Sequence, residues 1–557
     1  MKSSLSLVLC AALATACADR YHPADAGTTE ANPRAARNIA EHDASYWADK
    51  AQAAIGVRLA RGDGASGQRA RNVVMFLGDG MSVPTLAAAR TLLGQRRGAT
   101  GEEAELSFDA FPAVGLSKTY CVNGQVADSA CSATAYLCGS KANIGTIGVT
   151  AAVSRGNCEA STDTTRRVES IAEWALADGR DAGIVTTTRI THASPAGTFA
   201  KVADRNWEND ALVTEAGHDT GRCPDIAHQL VHMHPGNKFK VILGGGRRNF
   251  LPNTIRDEEG TLGRRIDGRN LIEEWQNEKA SQNVSYEYVW HREQLMNISN
   301  DLPEYLLGLF EGNHLQYNMQ GDPVSEPTLA ELTEVAIRSL SRNEKGFFLF
   351  VEGGRIDHAH HDNYAELALD ETIAMSDAVQ RATELLSEED SLVLVTADHA
   401  HVMAFNGYSG RGNDILGPSR DVDSNGVPYM TLSYTNGPGS RAHVNGIRPD
   451  VTAEEDYRTL QWRSHVDVPL SSETHGGDDV AVFAWGPHYD MFSGLYEQSH
   501  LPHLMGYAAC LGPGRHACSA APRHAPLVAS LGTLLYLYTT LGLLRYPLLL
   551  ELATTLN

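Results

Sequence analysis

Residues 352–362 pack three carboxylates and three imidazoles into eleven positions, directly after the apolar run 346–350. Asp357 and His361 stand four apart, so one helical turn would put both on one face, the spacing a metal pair needs. Glu352 falls where the apolar run stops, and the glycines that follow let the chain turn sharply. The plainer alternative is a histidine-rich surface loop with a capping aspartate. Two other apolar runs end in the same way: 72–77 is followed by Asp79, and 391–396 by Asp398 and His399. One such aspartate is ordinarily a turn or cap residue, but three strands ending alike point to a shared metal site, because ligands gather beyond the carboxyl ends of parallel strands. Ser129 offers a hydroxyl ahead of small residues at good helical positions. An Asp-Ser pair there is most often only a cap. Beside a metal set, the same hydroxyl gains the activation that a serine nucleophile requires.

The elements that must hold these groups alternate strand and helix. Residues 181–188 and 240–243 read as strands, and 168–176, 329–341 and 366–386 as helices, ahead of a last strand at 480–485. The expected fold class is α/β, a central mostly parallel sheet flanked by helices. From 406 to about 446 the composition shifts to Gly, Ser, Asn, Asp and Pro, with one strand near 429–434; this reads as an inserted surface subdomain, bounded at about 404–470. Residues 36–54 form an amphipathic helical pattern, an arm that either packs on another subunit or folds back on its own core.

The chain has 557 residues and a formal charge of −22, which speaks against nucleic acid as a partner. Residues 1–18 resemble a secretory signal, with Lys2, an apolar centre and a small-residue cleavage site. At the other end, small residues, a polar spacer and the apolar stretch 527–544 outline a GPI-attachment propeptide over 520–557; a hydrophobic anchor is the rival. The expected location is therefore the extracellular face of the cell membrane. Asn283 and Asn297 head glycosylation sequons. Of nine cysteines two leave with the signal, and Cys138 sits in an apolar run that suits a buried thiol. Cys121 with Cys131, Cys158 with Cys223, and Cys510 with Cys518 are candidate disulfides, although spacing leaves the connectivity open.

Segments 76–81, 128–136, 191–198, 205–207, 352–361, 396–399 and 473–475 together resemble the animal alkaline phosphatases, in order and over nearly the whole secreted chain, and most closely the insect branch. The resemblance implies a homodimer with a crown subdomain at the insertion, acting on small phosphate monoesters. It implies one zinc held by Asp357, His361 and His475, and a second by Asp79, Asp398 and His399, with Ser129 as the attacking group. Magnesium would take Asp79, Ser194 and Glu352. Arg205 would clamp the phosphoryl group, with His192 and His358 standing just behind the ligands. One calcium would take Glu259, the Phe310 carbonyl, Glu311 and Glu326; here Glu326 replaces the usual Asp. Ala359 stands where glycine is common, and Ser472 replaces an acid at the site's mouth. A sulfatase motif is absent. The reading from another class is a catalytically minor surface receptor on the same scaffold.

Overall fold

The computed structural model describes residues 39–62, 68–299 and 301–515. The signal and tail segments and Cys518 lie outside the described residues. Ten strands form the central sheet: β1 Asn72–Gly78, β2 Ala113–Lys118, β3 Asp181–Arg189, β4 Val241–Gly245, β5 Tyr286–Val289, β6 Tyr305–Leu309, β7 Phe347–Gly353, β8 Ser391–Ala397, β9 Val480–Trp485 and β10 Gly494–Glu497. Their order is β10-β2-β9-β8-β1-β7-β3-β4-β6-β5, and only β9 runs antiparallel to its neighbours. The sheet is therefore mostly parallel, as the alternation of strands and helices predicts.

The three strands that carry acids are buried on both faces because helices cover both. Val73, Met75, Phe348, Phe350 and Leu394 point into one core, and Val74, Phe76, Leu349, Val351 and Val395 into the other, the two-residue alternation of a pleated strand. Helix α3, Ser129–Cys138, packs Tyr136 and Leu137 into the first core. Helices α2 (Val83–Arg96), α4 (Leu329–Leu340) and α6 (Ala365–Leu385) pack into the second. Helix α4 opens with a reciprocal cap in which Glu331 N donates to Thr328 Oγ1 (3.2 Å) and Thr328 N to Glu331 Oε2 (3.0 Å).

The N-terminal helix α1 spans Ala44–Arg61 and folds back on its own chain, burying Trp47, Ala51 and Ile55. It runs seven residues beyond the end read from the sequence because Gly62, at φ 99°, supplies the left-handed cap that closes it. The insertion holds more strand than the single one expected: Met403–Phe405, Leu432–Gly437 and Val466–Pro469 make one small sheet, and Pro418–Val422 pairs with Pro428–Met430. These strands are short and partly exposed, so they lack the apolar runs that mark the central sheet. Two disulfides, Cys121–Cys131 and Cys158–Cys223, join the expected partners; Cys510 is also disulfide-bonded, and Cys138 is a buried free thiol.

Candidate active site

Strand register sets the floor of the site. β1 pairs with β7 through Gly78 and Gly353, and with β8 through Gly78 and Ala397, so Asp79 and Asp398 leave adjacent strand ends at one level with Glu352 beside them. Gly80 makes the turn at φ 68°, and a Cβ there would lie 2.3 Å from the His401 ring. Its N–H donates to Asp398 Oδ1 at 2.9 Å.

Helix α5, Arg355–His361, follows β7 and presents Asp357 and His361 together, as their spacing requires. His361 Nε2 and His475 Nε2 both lie 3.3 Å from Asp357 Oδ1, and 3.1 Å from each other. In each ring Nδ1 faces a main-chain carbonyl, Glu473 O at 2.6 Å and Ala127 O at 2.7 Å. A proton on Nδ1 leaves Nε2 as a bare lone pair in the neutral ring. Two lone pairs and a carboxylate converging on one point repel unless a cation lies between them, and nitrogen with oxygen donors suits zinc. A second set gathers Asp79, Asp398 and His399, and a third Asp79, His192 and Glu352.

Ser129 stands at the mouth of the second set. Asp128 caps α3 by accepting from Cys131 N at 3.2 Å, and the turn brings Ser129 Oγ to 3.3 Å from His399 Nε2 and 3.5 Å from Asp79 Oδ1. Buried Arg205 donates to Asp128 Oδ2 at 3.0 Å and to His192 Nε2 at 3.2 Å, which fixes its guanidinium between the residue that caps α3 and the Asp79–His192–Glu352 group. Ser194 Oγ reaches Asp79 Oδ2 at 3.5 Å. His358 accepts from Arg355 Nη1 at 3.1 Å, and its ring lies 5.5 Å from that of His192.

The electrostatics favour cations. Asp79, Glu352, Asp357 and Asp398 are all fully buried. Burial, then Asp398, Asp357 and Glu352, hold the Asp79 carboxyl well above the usual range. For Asp357 burial acts in the same direction, but His361, His401 and His475 outweigh it and pull the carboxyl well below. Thr186 and Thr188 hydroxyls donate to Glu352 Oε2, while Glu352 Oε1 and Asp357 Oδ2 are buried with no hydrogen-bond partner. Orphaned carboxylate oxygens aimed into such a cluster fit divalent metal ligands.

The cation set read for calcium is gathered more loosely. Gln316 donates through its main-chain N to Glu326 Oε1 (2.8 Å) and through Nε2 to Glu311 Oε1 (3.2 Å), tying those acids together. Phe310 directly precedes Glu311, whereas Glu259 is held by Arg247. Burial, with Glu311 beside it, pushes the Glu326 carboxyl up to about 8.

Two histidines escaped the sequence reading. His401 bridges Asp357 Oδ1 at 2.7 Å and Glu473 Oε2 at 2.5 Å. It stands two positions after His399, a spacing that in extended chain sends both rings the same way, so a signal was present. His314 packs 4.3 Å from His358 and 5.5 Å from His192, and nothing in its sequence neighbourhood announces it. Cys121, Asp128 and Cys131 also cluster, but those cysteines form a disulfide.

Residues 70–511 match the family model described as alkaline phosphatase. The chain is 68% identical to the membrane-bound alkaline phosphatase of Bombyx mori, over 94% of this chain and 95% of that protein. It is 44% identical to the tissue-nonspecific isozyme of Homo sapiens, over 91% of this chain and 95% of that one. Among solved structures, the alkaline phosphatase of Thermus thermophilus superposes with a TM-score of 0.57 at 25% identity, over 81% of this chain and 93% of that one. The enzyme of the Antarctic bacterium TAB5 shares the fold at a TM-score of 0.55 and 21% identity, over 80% of this chain and 99% of that one.

Proposed function

This chain belongs to the alkaline phosphatase family and is a phosphoric monoester hydrolase, and from that premise we propose that Ser129 is its nucleophile and Arg205 its phosphoryl clamp. The observation that carries the reading is the approach of Ser129 Oγ to His399 and Asp79 at the end of a buried carboxylate cluster. Ser129 Oγ bonds to phosphorus as the bond from phosphorus to the ester oxygen on the opposite side breaks, and the departing oxygen leaves as the alcohol, taking up a proton in balance for the one lost by the serine hydroxyl. The resulting phosphoserine lies within reach of Arg205, whose planar fork pairs with two phosphoryl oxygens and holds them while water attacks. Asp128 and His192 keep the guanidinium from swinging away.

Two zinc ions and one magnesium fit the donor sets: Asp357, His361 and His475; Asp79, Asp398, His399 and Ser129; Asp79, Ser194 and Glu352. When bound they would supply Lewis-acid stabilisation of the charge on the attacking and departing oxygens. His192 stands closer to the magnesium set than expected, within its group of mutually adjacent donors. His358 and His314 brace it from behind. Each expected zinc ligand is present, so nothing in the site favours the rival reading as a catalytically minor receptor.

Replacing Arg205 with lysine tests the clamp. A lysine presents a point charge without the fork, so KM for an aryl phosphate is expected to rise roughly tenfold or more while the fold is retained. An unchanged KM would remove Arg205 from phosphoryl binding.

The proposal extends to calcium at Glu259, Phe310, Glu311 and Glu326. Without a cation the raised Glu326 carboxyl binds more protons in the folded than in the unfolded state between its ordinary value of 4.5 and about 8. Stability of calcium-free protein is therefore expected to fall as pH climbs through that window. Added calcium should raise the melting temperature at pH 8 more than at pH 5, and Glu326→Gln should flatten both responses. A calcium response independent of Glu326 would move the site elsewhere.

We place the enzyme on the extracellular face of the cell membrane, held by a GPI anchor added near its C-terminus and glycosylated at Asn283 and Asn297. Both asparagines are exposed, and the Bombyx mori relative is membrane-bound by name. Among the described residues no helix is long and apolar enough to cross a membrane. A homodimer completes the reading: Tyr408 of the insertion is 98% exposed, and Phe405 and Val83 add apolar surface where the insertion meets α2.

A further inference from the structure

Glu208 stands three residues beyond Arg205 and is buried, a place a carboxylate occupies only when its oxygens are satisfied. Four donors converge on it. Arg189 Nε and Nη2 reach Oε2 and Oε1 at 2.7 and 2.6 Å in a bidentate fork, while Thr191 Oγ1 and Asn249 Nδ2 donate to Oε2 at 2.5 and 2.9 Å. Burial raises the pKa of the carboxyl, but Arg189 outweighs it, with His192 and Thr191 adding to the pull, and holds the group at about 2. Glu208 is therefore ionised at neutral and alkaline pH.

Residues 189–192 and 205–208 are joined by two rungs: Arg205 Nη2 to His192 Nε2 at 3.2 Å, and Glu208 to Arg189 and Thr191. Arg189 is the last residue of β3, so its fork ties the second segment to the end of a central strand. The tie matters because 205–208 lies in no helix or strand and takes its place from such contacts alone. The same guanidinium reaches a third segment through Asn313 Oδ1 at 3.1 Å and through the ring of His314, which packs 4.3 Å from His358. Asp128 holds the tip of Arg205, and Glu208 holds the turn from which that side chain springs. We propose that Glu208 is a positioning residue for phosphoryl transfer, keeping Arg205 and His192 at the spacing from which the guanidinium meets two phosphoryl oxygens. The inference rests on the clamp assigned to Arg205 and names the residue that sets it. The demand is geometric, since a misplacement of about 1 Å costs on the order of 10²-fold.

Glu208→Gln keeps the size of the side chain and removes one acceptor. An amide has a single carbonyl oxygen, so in either orientation its NH2 group faces at least one of the four donors. Binding of inorganic phosphate to the metal-loaded holoenzyme is read by isothermal titration, beside KM and kcat for an aryl phosphate and a thermal melt. The phosphate Kd and KM are expected to rise together, roughly tenfold or more, with a smaller fall in kcat. A double-mutant cycle shows whether the effect passes through the clamp: in an Arg205→Lys background, Glu208→Gln should change phosphate affinity by less than about twofold. Thr191→Val removes one donor and leaves the fork, so it should raise the phosphate Kd about two- to fivefold, again only where Arg205 is present. It decides alone if Glu208→Gln fails to fold. An unchanged phosphate Kd in the folded variant, or a full additive loss in the Arg205→Lys background, overturns the positioning role and leaves the clamp standing. Unchanged phosphate binding in Arg205→Lys itself overturns the clamp reading and this proposal with it.

Discussion

Ser129→Ala is expected to lower kcat by about 10⁴ to 10⁶ while leaving the fold and the binding of inorganic phosphate largely intact. The oxygen removed is the one that meets both His399 Nε2 at 3.3 Å and Asp79 Oδ1 at 3.5 Å. Ser194 is turned to the far oxygen of Asp79, and Ser132, although its Oγ lies 3.5 Å from Asp398 Oδ2, donates at 2.9 Å to the Asp128 carbonyl. Ser129 is small and fully buried, and alanine keeps the helix start that Asp128 caps. A thermal melt within a few degrees of the parent, with phosphoserine absent on acid quench during turnover, completes the expected picture. Activity near the parent's level would take the nucleophile away from Ser129.

Chelation is the second large effect. Dialysis against a strong chelator is expected to reduce activity by about 10³ or more, since charge stabilisation worth several kcal/mol goes with the metals. The melting temperature should fall with it, because Asp79, Glu352, Asp357 and Asp398 are left buried together in mutual repulsion. Zinc with magnesium should restore both, whereas calcium alone should leave activity lost, because donor sets containing imidazole nitrogen do not suit it. Asp398→Asn with His399→Ala should mimic the loss at the serine-side set. Undiminished turnover in exhaustively chelated protein would separate the reaction from these residues.

Asp357 and His361 were readable because both lie in one short helix, where spacing alone decides that they share a face. Asp79, Glu352 and Asp398 were readable as strand ends, since an apolar run that stops at an acid is visible in one dimension. His475 was different: it follows no long apolar run, and it entered the ligand set only through resemblance. The site takes it in because its Nδ1 lies 2.7 Å from the carbonyl of Ala127, almost 350 positions earlier in the chain. His314 had no signal at all, since its neighbours His192 and His358 come from other segments. The short strands of the insertion were under-read for a related reason, being too small and too exposed to leave an apolar pattern.

Residue type and local period determined the α/β class, the strand ends that carry acids, the pairing of Asp357 with His361 on one helix face and the hydroxyl at a helix start. All of these follow from interactions within a few residues along the chain. Only the tertiary structure decided that His361 and His475 turn Nδ1 to main-chain carbonyls, that His192 stands with Asp79 and Glu352, that His401 spans two buried carboxyls, and that α1 packs Trp47, Ala51 and Ile55 on its own chain. Those outcomes depend on strand register and packing between segments hundreds of residues apart, and no local pattern encodes such contacts one by one.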